Sequence, residues 1–154
     1  MDEHSAKKLG EVLAFAEIGL DTLGKGKEGF AKIFTGEQLQ AILQKNEEHV
    51  SAVKASAKNL EVENIVLTKA QATGNKLTTM RDLYIGDSWD DPIELMEWSG
   101  FFEGAALVHW SLVHGKAKKL QLNELEALSE EAMTFHEGLL KQMTLLISQH
   151  VSSE

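Results

Sequence analysis

Gly86-Asp87-Ser88-Trp89-Asp90-Asp91-Pro92-Ile93-Glu94 is the stretch whose reading decides the fold. Glycine, aspartate and serine favour turns, because they tolerate unusual dihedrals or hydrogen-bond the local backbone. The last four residues then set an aspartate cap, the chain's only proline at the first helical position, and a glutamate three residues after the cap. A helix begins at Pro92. Its spacing continues to about Val113, with Gly115 and the lysines Lys116, Lys118 and Lys119 expected to close it.

Working outward, Asn123-Glu124-Leu125-Glu126 has the form of another cap, followed by the stripe Leu125, Leu128, Ala132, Leu139, Met143 and Leu146 to about Ser148. Ser152, Ser153 and Glu154 are expected to fray. Upstream, Thr35-Gly36-Glu37-Gln38 is a capping box, in which threonine accepts a free amide hydrogen and glutamine reaches back to the cap. It opens a helix whose stripe is Leu39, Leu43, Asn46, Val50, Val53 and Ala57. A first helix is expected from about Ser5 to Phe34, softened at Gly24-Lys25-Gly26. Between the second and third helices, Val62 to Tyr84 keeps helical spacing across Gly74-Asn75. These residues read as an ordered, helical crossover, either a separate helix or an extension of the one before. The expectation is one all-α domain over residues 1–154, an antiparallel four-helix bundle with that crossover between its second and third helices.

Composition narrows the chemistry. Of 154 residues, 43% are hydrophobic and 25% charged, as in ordinary globular chains. A formal charge of -9 repels phosphate backbones, which argues against a nucleic-acid partner. Cysteine is absent, so thiolate metal sites, disulfides and cysteine nucleophiles are excluded. The first residues lack the apolar stretch of a signal peptide, and no run approaches a spanning helix. The expectation is a cytoplasmic protein without a membrane partner.

Helical bundles bind metal through carboxylates and histidines that project inward from facing helices, with Glu-x-x-His pairs placing both ligands on one face. Glu17 on the first helix, His49 on the second, Glu97 and Glu103 on the third and His136 on the fourth are the candidate ligands. The residues three before the histidines are Asn46 and Met133, so a standard pair is absent and any site is reduced. Glu47, Glu48, Glu130 and Glu131 read as solvated faces, and His49 and His136 also suit hydrogen-bonded core positions. Glu17, among Phe15, Ala16, Ile18 and Gly19, needs a partner if buried. His109 and His114 lie about 140° apart around a helix, off a common metal face. Phosphate loops, His-Glu-x-x-His and nucleophile elbows are absent.

The third helix carries Trp98, Phe101, Phe102 and Trp110 around Gly100 and Gly104. Two glycines four apart let another helix approach, so tight core packing, a helical dimer interface or a hydrophobic pocket would each explain them.

On the stretches Leu39–Leu60 with Asn46-Glu47-Glu48-His49-Val50, Pro92–His114 with Glu97-Trp98 and Glu103, and Asn123–Ile147 with Glu130-Glu131 and His136-Glu137, the chain resembles the small bacterial ferritin-like families. With the first helix, the resemblance covers most of the chain outside the crossover. It implies a left-handed four-helix bundle, often dimeric, in which some members hold iron or manganese and others have lost the site. The function so implied is a divergent ferritin-like protein with a divalent metal in its core, acting in redox or stress chemistry. The alternative is a metal-free helical interaction module or homodimeric adaptor using the third helix.

Overall fold

Six helices and no strand make up the computed structural model, which describes residues 1–154. They are α1 (Glu3–Lys25), α2 (Lys27–Phe30), α3 (Gly36–Asn59), α4 (Glu63–Ile85), α5 (Pro92–Leu120) and α6 (Asn123–Ser152). Two of the expected starts have their caps. The Thr35 hydroxyl accepts from Gln38 N–H while Gln38 Oε1 accepts from Thr35 N–H, and Asp91 accepts from Ile93 N–H ahead of Pro92. The third does not. Asn123 is the first residue of α6, and Leu122 before it provides no side-chain cap.

The two hairpin turns α3–α4 and α5–α6 end their helices without glycine. At the first, Glu61 takes a left-handed φ of 58°, which lets Val62 N–H reach Ala57 O and Glu61 N–H reach Lys58 O. At the second, Gln121 does the same at φ 56°, with Leu122 N–H on Ala117 O and Gln121 N–H on Lys118 O. Val62 is buried and Leu122 half-buried, so apolar burial just beyond each turn offsets the strain of a side chain in this region. Glycine has no such strain there. Glu61→Gly is therefore expected to raise stability by roughly 0.5–1 kcal/mol, read from the urea midpoint.

Helix α1 is the hub, flanked by α3, α4 and α5, and every residue from Leu9 to Ala16 is buried. Its direction relative to each neighbour follows from the contacts. Gly19 lies against Asn46 of α3 while Ala14 shares a groove with Lys54, and Glu11 and Phe15 lie against His109 and Phe102 of α5, both antiparallel arrangements. Helix α4 instead runs parallel to α1, with Gly10 beside Val66 and Lys69 at one end and Asp21 beside Arg81 at the other. Helices α5 and α6 form the most extensive pair of all, running antiparallel with His136 against Glu103 and Ser129 against His114, and α6 also meets α3. Residues 63–85 are thus a helix of their own, and they carry the chain back along α1 before α5 begins.

Three local expectations are corrected. The first helix ends at Lys25 rather than continuing to Phe34, because Gly26–Phe30 turns beneath the start of α5. A Cβ on Gly29 would fall 2.5 Å from Leu95 Cδ1 and 2.8 Å from Trp89 O, so only glycine passes there. Gly115 does not stop α5, which runs to Leu120. Gly100 and Gly104 have open space where a Cβ would stand, so they do not serve tight packing within the chain. The close helix approach is at Gly10 instead, where a Cβ would sit 2.7 Å from Val66 O, a backbone atom of α4. Gly10→Ala must push α4 outward and is expected to cost about 1–3 kcal/mol, measurable by thermal or urea unfolding.

Candidate functional site

Three helices contribute to one polar layer inside the bundle. From α3, the i, i+3 spacing places Asn46 and His49 on the buried face; from α5 comes Glu103; from α6 come Glu131 and His136. Glu103 Oε1 lies 2.7 Å from His136 Nδ1, and both residues are buried. His49 Nε2 lies 2.9 Å from Glu131 Oε2, whose other oxygen is 2.8 Å from Lys45 Nζ at the bundle surface. A carboxylate can only accept, so each imidazole donates from the nitrogen facing its glutamate. The remaining lone pairs are then His49 Nδ1 and His136 Nε2. His49 Nδ1 is buried with no hydrogen-bond partner. The ring centroids of His49 and His136 are 5.9 Å apart, and Trp110 and Phe135 stand 5.3 and 5.7 Å from His49.

Burial holds the His49 imidazole below its ordinary pKa, against the opposing pull of the Glu131 carboxylate. For Glu131 itself burial pushes upward, but hydrogen bonds from Lys45 and His49 outweigh it and keep the carboxyl below its usual value. His49 is thus neutral in the fold. As pH falls through 6.5, the unbound imidazole value, an unfolded chain takes up a proton that folded His49 resists, so stability present above that pH is lost below it. In chelator-treated protein, unfolding free energy is expected to decline between about pH 7 and 5, and His49→Gln to flatten that slope. Urea midpoints across this range are the measurement.

Comparison with protein families, curated proteins and solved structures finds no match.

Of the five ligands expected from sequence, the fold brings together His49, Glu103 and His136. It places Glu17 on the exposed side of α1, at the groove between α1 and α4 near Lys54, and Glu97 on the exposed side of α5, where Tyr84 Oη donates to it at 2.9 Å. The buried carboxylate of α1 is Glu11, 3.1 Å from Lys8 Nζ, 3.9 Å from Lys69 Nζ and 3.6 Å from His109 Nε2. No three His, Asp or Glu side chains surround a common point in the way a direct carboxylate-rich centre would require. Glu131, five residues before His136, reads along α6 alone as a solvated face, whereas its partners His49 and Lys45 sit across the bundle on α3. Arg81, the chain's only arginine, is also fully buried, and no motif on its own helix signals it.

Proposed function

We propose that the chain is a ferritin-like bundle, built on α1, α3, α5 and α6 with α4 as the crossover, that holds one divalent transition metal between His49 and His136. The observation that carries this reading is the paired arrangement of the two histidines. Metal-binding imidazoles characteristically donate their second N–H to a carboxylate, which fixes the tautomer and raises ligand basicity. His49 with Glu131 and His136 with Glu103 each have that partner, and each keeps one nitrogen free of it. Two imidazoles bound to one ion through bonds of about 2.1 Å place their ring centroids roughly 5–6 Å apart, close to the 5.9 Å separation here.

In this reading Glu103 and Glu131 are orienting groups rather than ligands, which accords with the lack of a carboxylate cluster. Imidazole donors suit iron(II) and zinc better than manganese. A bound ion would supply Lewis acidity, or one-electron chemistry if it is iron, at a position walled by Trp110 and Phe135. His49, neutral in the fold, would bind without first losing a proton, and Lys45 would hold Glu131 in place from the surface.

The test is metal content together with thermal stability. Protein purified without chelator and supplied with iron(II) or zinc is expected to retain one ion per chain. An ion present at a hundredfold over its Kd stabilises by about 2.7 kcal/mol, which for a chain of this size raises Tm by roughly 5–10 °C. His49→Ala and His136→Ala should each abolish both effects. Retention of no ion and an unmoved Tm would refute the proposal.

A further inference from the structure

Independently of any metal, α5 has one face left largely open to solvent. Glu94, Phe101, Gly104, Val108, Leu112 and Lys119 follow one another at intervals of seven, three, four, four and seven residues, so they lie along one side of the helix. Phe101 is 66% exposed, Val108 65% and Leu112 38%, and the Gly104 position faces open space. Tyr84 of α4 packs edge-on against Phe101 at 5.5 Å and extends the apolar surface sideways. Isolated apolar residues on a surface need no explanation, but a continuous helical stripe of them does.

The order of the stripe is what identifies the occupant. Its first turn is acidic, its centre small and apolar, and its last turn basic. Laid antiparallel against a copy of itself, Glu94 faces Lys119, Phe101 faces Leu112, and Gly104 and Val108 come together around the twofold axis. A twofold interface requires just this property, that residue i meets j while j meets i. Parallel pairing would set Glu94 on Glu94 and Lys119 on Lys119. Neither residue forms an ion pair within the chain, so each is free to make this one. The stripe spans about 38 Å at 1.5 Å per residue, and the glycine lets the two backbones approach at the axis.

We infer that two copies of this chain associate through the Glu94–Lys119 face of α5, antiparallel about Gly104 and Val108. A single helix pair is a small interface, so the dimer is expected to exchange with monomer in the micromolar range. Sedimentation of the full chain between about 1 μM and 1 mM tests it. Val108→Glu, which sets two carboxylates together at the axis, should weaken association at least tenfold. Glu94→Lys and Lys119→Glu should each weaken self-association several-fold, and the double variant Glu94→Lys/Lys119→Glu should restore it, because the pair is merely reversed. All four are surface changes, and far-UV circular dichroism checks that the helices persist. A wild-type chain that stays monomeric throughout, a dimer indifferent to Val108→Glu, or a double variant as weak as the single ones would overturn the inference.

Discussion

His136→Leu should lower the unfolding free energy of the metal-free protein by about 3–5 kcal/mol, the range for leaving a buried carboxylate without its partner. Glu103 would then sit buried with its hydrogen-bond donor gone, and leucine cannot supply another. The magnitude comes from the stranded carboxylate rather than from the strength of the bond. The double variant Glu103→Leu/His136→Leu removes both polar groups and should recover most of the loss, ending within about 1–2 kcal/mol of wild type. Urea unfolding of the four proteins of this cycle, with unchanged m-values, gives the coupling directly. Glu131→Ala should cost less than His136→Leu, since Glu131 is 43% exposed and water can replace part of what it provides.

Arg81→Ala carries the second large effect, about 3–4 kcal/mol. The side chain is 0% exposed. Its guanidinium lies 2.6 Å from Asp21 Oδ2 and donates to Thr22 Oγ1 and Asp82 Oδ1, while its plane stands 5.0 Å from the Trp89 ring. One residue thereby fixes the end of α4 to α1 and to the turn that launches α5. Alanine would leave a cavity at that junction and release the Trp89 turn. Asp21→Ala should cost only about 1–2 kcal/mol, because Asp82 remains beside the guanidinium and Asp21 is half exposed. Thermal unfolding separates the two variants, and Trp fluorescence in a Trp98→Phe/Trp110→Phe background reports on the Trp89 turn.

The helices were legible where local chemistry alone dictates them. The capping box at Thr35 and the cap and proline at Asp91–Pro92 act within four residues, and both stand as read. The misread boundaries depend on distant atoms. Gly26–Phe30 departs from a helical stripe that includes Phe30 and Phe34 because Leu95 and Trp89 press on Gly29. Gln121 and Glu61 stop helices in a conformation that sequence reading assigns to glycine, and the apolar residues just beyond the turns make this tolerable. Gly115, which looked like a stop, has no reason to leave a helix whose neighbouring turns are well packed.

The polar layer was half legible for a similar reason. His49, Glu103 and His136 are legible because each falls at helical spacing from an apolar core residue, His49 from Val53, Glu103 from Ala106, and His136 from Ala132 and Leu139. Glu131 lies off the apolar stripe, at the edge of α6, and its role appears only when α3 is set beside it. Glu17 and Glu11 are six residues apart on α1, and which of them turns inward depends on where α5 and α4 pack. Spacing along one helix ranks the faces of that helix but does not say which neighbour covers them.

The central claim is that His49 and His136 share one ion. Calorimetric titration of chelator-stripped protein with zinc, a redox-inert probe with tetrahedral preference, tests it most directly. The expected result is one ion per chain, lost in His49→Ala and in His136→Ala, weakened about 10–100-fold in Glu103→Gln and unchanged in Glu17→Ala and Glu97→Ala. Absence of binding in the wild-type chain, or binding that persists when both histidines are replaced, would contradict it.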